Sequence, residues 1–273
     1  VIDPIVVPMA DVTLNVTNEE GSSRYIYLPT QNGGFQVDWS VGDKITLLYN
    51  KHKGTETVWK AVNLELITNN GDGNVVFSGK VPADYGGTYI GVYPAMNPKA
   101  DGNQPYEVKA GKVYNDIQGG KSAIVQYFTY ILKNTQQVQV NDNDMRHVEA
   151  LDYQVTNCEF KCVENNGNRV LRNATMEPIT FKHVFSFAKM SISKSKLPRG
   201  AYPIGISLAG YWGSYGTPVK DVEYSVLLEG NFQNNSDKLT FWMVMPEGKL
   251  DPGKSLKFTV YALQMREEFN FAI

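Results

Sequence analysis

Three histidines are the first residues to test for chemistry, and His183 stands apart from the other two. It lies in Phe181-Lys-His-Val-Phe-Ser-Phe-Ala-Lys-Met-Ser-Ile192, among phenylalanines and near a serine. His52 and His147 sit in Lys51-His-Lys53 and Arg146-His147, cationic contexts at turns that read as surface. A serine nucleophile needs a base and a strained turn that presents its hydroxyl. The Gly-x-Ser-x-Gly elbow is absent, and Gly213-Ser-Tyr-Gly216 lacks its frame. On a strand, Phe181, His183, Phe185 and Phe187 share one face, while Val184, Ala188, Met190 and Ile192 share the other. With both faces apolar, the stretch reads as a central structural strand whose neutral imidazole donates to a backbone carbonyl.

Metal and cofactor chemistry find equally little support. Cys158 and Cys162 are the only cysteines. In an extended strand their Cα atoms would lie about 13 Å apart, beyond disulfide reach, although a turn between them could close the gap. Two thiols without further Cys or His at ligand spacing do not make a zinc site, so free thiols are expected. Asp72, Asp142 and Asp144 offer oxygen donors at turns, but none belongs to a complete EF-hand pattern, and hairpin chemistry is the simpler reading. No HExxH, phosphate-binding glycine loop or dinucleotide fingerprint occurs. The expectation is a protein that is not an enzyme and uses no cofactor and no metal. A glycoside hydrolase stays open as a third reading, because its paired acids are distant in sequence.

One binding constellation does emerge. Tyr211, Trp212 and Tyr215 lie in Gly210-Tyr-Trp-Gly-Ser-Tyr-Gly216, where aromatic rings on a glycine-rich loop could form a platform for a sugar face or a partner protein. The competing reading folds Trp212 back as a lid over the end of a sandwich.

The elements that must position these residues are mostly strands. A chain of 273 residues suggests two domains, and 24 glycines and 16 tyrosines with few runs of helix formers lean toward short strands and tight turns. A net charge of −2 gives no reason to expect nucleic acid or an anionic membrane as partner. No apolar run approaches the roughly 20 residues of a membrane span, and the opening Val1-Ile-Asp-Pro4 reads as a mature or trimmed polypeptide.

Period-two alternation marks strands at Val12–Val16, Tyr25–Leu28, Phe35–Trp39, Ile45–Tyr49 and Val58–Ile67. The last meets Val75–Phe77 across Asn69-Asn-Gly-Asp-Gly-Asn74, a hairpin turn. After Tyr89–Pro94 the pattern lapses, and residues 95–122 read as a long surface excursion. Further strands are expected at Ala123–Leu132, Val138–Val140, Ala150–Phe160, Phe181–Ile192, Tyr202–Leu208, Val222–Leu228, Leu239–Met245 and Leu256–Leu263. Only 136–150 tempts a helix assignment.

Several of these segments fall in a familiar order: Trp39-Ser-Val-Gly-Asp43-Lys-Ile45, Phe77-Ser-Gly-Lys-Val-Pro82, Tyr89-Ile-Gly-Val-Tyr93-Pro94, Leu151-Asp-Tyr153, Phe181–Ile192 and Leu250-Asp-Pro-Gly-Lys254-Ser-Leu-Lys-Phe258. Together they resemble the fimbrillin-like family, the type V pilus subunits and their tip or anchor proteins in certain Gram-negative bacteria. The resemblance implies an all-β chain of two transthyretin-like Greek-key β-sandwich domains in tandem, assigned here to 1–178 and 179–273. It implies a cell-surface fimbrial subunit or tip adhesin, lipid-anchored to the outer membrane as a precursor. Polymerisation in that family follows removal of a first strand and its replacement by a neighbouring subunit's strand. Carried over, the first strand is Asp11–Thr17, and Arg24 is the processing point for a trypsin-like protease. The family's lipid-bearing N-terminal cysteine is absent from this sequence, as in a trimmed chain. Phe269–Ile273 reads as a sheet strand, a donor strand or a truncation. Expected partners are other pilus subunits by strand exchange and a host protein or glycan. The alternative is a secreted or surface carbohydrate-binding module using the exposed aromatics.

Overall fold

A computed structural model describes residues 8–17, 28–29, 35–36, 39–53, 56–71, 73–95, 101–105, 121–175, 177–214, 220–230, 232, 235–246, 248–250 and 256–264. Strands dominate, as the alternation predicts. The chain divides into two compact units, residues 1–127 with 153–184 and residues 128–152 with 185–273. The division expected at 178/179 lies upstream of the one at 184/185, and it leaves 128–152 in the N-terminal part.

The first unit is built from β1 (Met9–Thr17), β4 (Lys44–Lys53), β5 (Glu56–Asn69), β6 (Asn74–Pro82), β7 (Thr88–Tyr93), β8 (Asp101–Pro105), β10 (Gln154–Thr156), β11 (Phe160–Asn165), β12 (Asn168–Arg172) and β13 (Phe181–His183). Between β1 and β4 in sequence, β2 (Leu28–Pro29) and β3 (Phe35–Gln36) form a small antiparallel pair. The strand order β11-β12-β1-β6-β5-β4-β7 closes on itself because β7 also pairs with β11. This closed ring of seven strands differs from the open-edged sandwich implied by the resemblance. Its cause is a division of labour along β7: Thr88 and Tyr89 pair with β11, while Val92 and Tyr93 pair with β10. The chain turns between β10 and β11 at residues 157–159, so one edge of β7 carries two successive partners. The stretch expected to be a pure surface excursion contributes β8, which pairs with β5.

Alternation explains which side chains fill the ring. Val12, Leu14 and Val16 of β1 point into the core with Ile45, Leu47, Leu64, Leu66 and Phe77. Four of the segments that carry the family resemblance converge there. The Trp39 indole meets Phe77, Tyr93 and Phe181 edge-on, at centroid distances of 5.2, 5.0 and 5.6 Å. Residues 45–49 and 89–93 are buried throughout, so β4 and β7 are covered on both faces. The turn after Trp39 follows the sequence logic. Gly42 sits at φ 95°, where a Cβ is strained, and the Asp43 carboxylate accepts the Ser40 N–H at 2.9 Å.

The second unit contains β9 (Gln137–Gln139), β14 (Phe185–Ser193), β15 (Ala201–Ser214), β16 (Lys220–Leu228), β17 (Lys238–Pro246), β18 (Gly248–Leu250) and β19 (Lys257–Gln264). β14 and β17 form a two-stranded sheet, and β18-β15-β16-β9, with β19 on β15, form the other. Ile206, Leu208, Val226 and Leu228 of the larger sheet share one core with Leu239, Phe241, Met243 and Met245 of β17.

Residues 123–132, expected to be a strand, lie in helix α1 (Lys121–Asn134), along which the chain passes from the first unit to the second. Among its described side chains Ile124, Phe128 and Leu132 are buried, four residues apart and therefore on one helical face. Within 136–150, only α2 (Arg146–Ala150) is α-helical.

Candidate functional site

His183 is half-buried at the end of β13, opposite Gln154 of β10. The Gln154 side-chain amide donates to its Nδ1 at 3.0 Å. The ring thus accepts a side-chain hydrogen bond at that nitrogen. Phe181, His183, Phe185 and Phe187 do not share one strand face. The run breaks at Val184, whose N–H binds Tyr153 O at 2.8 Å, and β13 belongs to the first unit while β14 belongs to the second.

A histidine bonded to a backbone carbonyl is seen at His147, which the sequence places at the surface. His147 is partly buried on α2, and its Nε2 lies 3.1 Å from Trp242 O, so Nε2 carries the proton and donates. Its buried Nδ1 has no partner among the described residues. Burial depresses the imidazole pKa, partly offset by that hydrogen bond and by Asp144.

Asp142 and Asp144 are engaged in structure. Asp142 accepts the Thr240 N–H at 2.7 Å. Asp144 accepts from Arg146 at 2.6 to 3.1 Å, and these bonds hold its carboxyl below the usual carboxylate range. Cys158 and Cys162 are free thiols at the margin of the first core, and burial pushes the Cys162 thiol up. Among the described residues, no group of three or more His, Cys, Asp or Glu is placed to hold a metal.

Two strands decide where another chain could add. β17 pairs with β14 along one edge. Its other edge is satisfied by residues 137–147. Gln137 donates to Val244 O and accepts from Val244 N, both at 2.8 Å. Gln139 accepts from Trp242 N at 2.9 Å and donates to Thr240 O at 3.0 Å. With Asp142 on Thr240 N and His147 on Trp242 O, the outward N–H and C=O of residues 240, 242 and 244 are all engaged. Two side-chain amides thereby imitate peptide groups at the two-residue repeat of a strand, and they close an edge open to strand addition.

β1 is held differently. It pairs with β6 antiparallel at nine positions, from Met9↔Pro82 to Thr17↔Asn74. On its other side, β12 runs parallel and pairs only at Thr13↔Val170 and Leu14↔Leu171, followed by a bridge from Val16 to Ile179. The expected first strand, Asp11–Thr17, therefore fills its own sheet. Val12, Leu14 and Val16 are each buried, and each side chain contributes roughly 1.5 to 3 kcal/mol.

The proposed aromatic platform is only partly in view. Tyr211 and Trp212 lie within β15, opposite Asp221 and Lys220 of β16, so their backbone is strand where a loop was expected. Tyr215, Arg24 and the terminal stretch 269–273 lie outside the described residues. Sequence reasoning missed a different exposed row, Tyr202, Tyr261 and Leu263, where Tyr202 and Leu263 pair across β15 and β19. The signal was available as outward apolar positions within alternating strands.

Comparison with known proteins adds little. No protein-family model matches the chain, and no curated protein does. Among solved structures, a provisionally named cell adhesion protein from Parabacteroides distasonis ATCC 8503 overlaps 76% of this chain and 50% of its own, at 10% identity and a TM-score of 0.27. The chain thus spans half the length of that protein, and a superposition of this quality carries no argument about fold or function. Among the described residues, no helix is long and apolar enough to cross a membrane.

Proposed function

We propose that this chain is a non-enzymatic fimbrial subunit or tip adhesin of the fimbrillin-like type, displayed on the surface of a Gram-negative bacterium and assembled by strand exchange. The resemblance supplies the family, its tandem transthyretin-like design, its lipid-modified precursor and its partners. The convergence of four resembling segments on Trp39 supports treating them as one motif. The observation that carries the reading is the lopsided hold on β1. Nine register positions on β6 define a slot for one strand, while two positions on β12 and one bridge leave the other side weakly paired. A strand of matching alternation from a neighbour would refill that slot and restore its main-chain hydrogen bonds.

The test is brief trypsin treatment of the folded protein, followed by mass spectrometry and size-exclusion chromatography over a range of concentrations. Cleavage after Arg24, loss of residues 9–17 and concentration-dependent oligomers are expected. Retention of β1 in a cut protein that stays monomeric at every concentration refutes the exchange reading.

A further inference from the structure

An open groove of about 410 Å³ runs over the outer side of β1, bordered by Ser78 of β6 and by the β11–β12 hairpin. A second, of about 250 Å³, extends it past Thr17 and Pro178, and the two share Asn15, Val170 and Arg172. Together they form a trench along β1 from Asp11 to Thr17, about 20 Å of strand.

The lining mixes apolar surface with many polar side chains, and several of these are not engaged by the protein's own bonds. The side chains of Thr13, Asn15, Ser78, Asn165, Asn168 and Arg172 have no hydrogen-bond or ionic partner among the described residues. Ser78, Thr13 and Val170 form one cross-strand row, and two residues further along the parallel strands come Asn15 and Arg172. Val170 is 8% exposed yet lies outside the Trp39-centred core to which its neighbour Leu171 belongs, so it floors the trench as a small apolar patch. The cations are unequal. Arg169 donates to Ala83 O at 3.3 Å, whereas Arg172 is unengaged. Asp11 at one end lies 3.8 Å from Lys80, which offsets its charge, and Glu177 is the carboxylate that lines the other end.

We infer that this trench binds an extended anionic oligosaccharide, with Arg172 taking its carboxylate or sulfate group. Amides and hydroxyls that both donate and accept match a ligand rich in hydroxyls. A guanidinium matches a planar or tetrahedral oxyanion by forked donation. Val170 offers the apolar contact that one face of a sugar ring requires. A peptide strand fits this face poorly, because β1 is already paired on both sides at Thr13 and Leu14 and the trench presents side chains rather than open main chain. Its lining residues differ from Tyr211 and Trp212, and because Thr13 and Asn15 belong to β1 the trench exists while the chain keeps its own first strand.

Calorimetric titration of the intact chain with tetragalacturonate, a heparin-derived tetrasaccharide and neutral cellotetraose tests the assignment. At least one anionic tetramer binds, more weakly as salt rises, while the neutral one binds far less. A preference between the two anions identifies carboxylate or sulfate as the bound group. Arg172→Ala weakens that binding roughly ten- to a hundredfold, and Asn15→Asp weakens it by charge repulsion, with melting unchanged in both. Absence of binding by either anion, equal binding of cellotetraose, or affinity unaltered by both substitutions overturns the inference.

Discussion

The Trp39 indole meets the Tyr93 ring edge to face, with centroids 5.0 Å apart and planes at 89°. These residues come from separate segments, one just before β4 and one at the end of β7, and Phe77 and Phe181 complete the cluster. Trp39 is 4% exposed, so no solvent rearrangement can fill the space it leaves. Trp39→Ala is expected to cost about 3 to 5 kcal/mol in chemical denaturation, whereas Trp39→Phe, which keeps an aromatic edge, costs less. Equal losses for the two variants would show that the site needs the indole itself and that a phenyl ring recovers nothing there.

Gln137 and Gln139 predict a second, sharper effect. Replacing Gln137 by Leu keeps its volume but strips Val244 of two hydrogen bonds at a buried edge. A loss of about 1 to 3 kcal/mol per unsatisfied group is expected. Because the open edge of β17 then becomes available to other chains, the variant should also form oligomers at concentrations where the parent is monomeric. Light scattering beside a denaturant melt separates the two effects, and Gln137→Glu, which buries a carboxylate against Val244 O, should lose at least as much stability as the Leu variant.

His147 gives a pH prediction. Its folded pKa lies below the ordinary imidazole value of about 6.5, because burial disfavours the charge and Nδ1 has no acceptor among the described residues. The unfolded chain therefore takes up the proton first. The contribution to stability is complete above about pH 6.5 and is lost as pH falls through the lower folded value. His147→Gln keeps a donor for Trp242 O without titrating, so the difference in melting temperature between the two proteins should shrink or reverse from pH 7.5 to 5. Asp144, held down chiefly by Arg146, titrates at lower pH than His147.

Much of the first unit is legible in the sequence, because its strands announce themselves locally. Val12, Leu14 and Val16 alternate with polar residues, and the Asn69–Asn74 turn carries its own chemistry, with Gly71 N–H bound to Asn69 Oδ1 at 2.9 Å. The helix at 121–134 is misread for a physical reason. Its Ile, Val, Tyr, Phe and Thr content favours strand on propensity, and only the four-residue spacing of Ile124, Phe128 and Leu132 says otherwise. Ring closure is not local at all, since it rests on β7 sharing one edge between β10 and β11. The Gln137 and Gln139 latch is likewise invisible, because its partners lie over 100 residues away. His147 looks solvated beside Arg146, and only the approach of β17 buries it.

Gly79 supplies the last prediction. It lies in the middle of β6, between Val12 of β1 and Leu64 of β5, within one of the segments that carry the resemblance. A Cβ there would stand 2.8 Å from Asn63 O and 2.6 Å from Leu64 Cδ2. The side chain can swing away, but the carbonyl belongs to a neighbouring strand, so relief requires the β5–β6 pair to spread. Alanine's gain in backbone entropy, about 0.5 to 1 kcal/mol, is smaller than an overpacking cost of about 1 to 3 kcal/mol. Gly79→Ala should therefore destabilise the chain and loosen β1, seen as faster amide exchange at Val12 and Leu14. Gly86→Ala, where nothing lies within 4 Å of the added carbon, is the control: it should keep the entropy gain of about 0.4 to 1 kcal/mol and leave exchange at Val12 and Leu14 no faster.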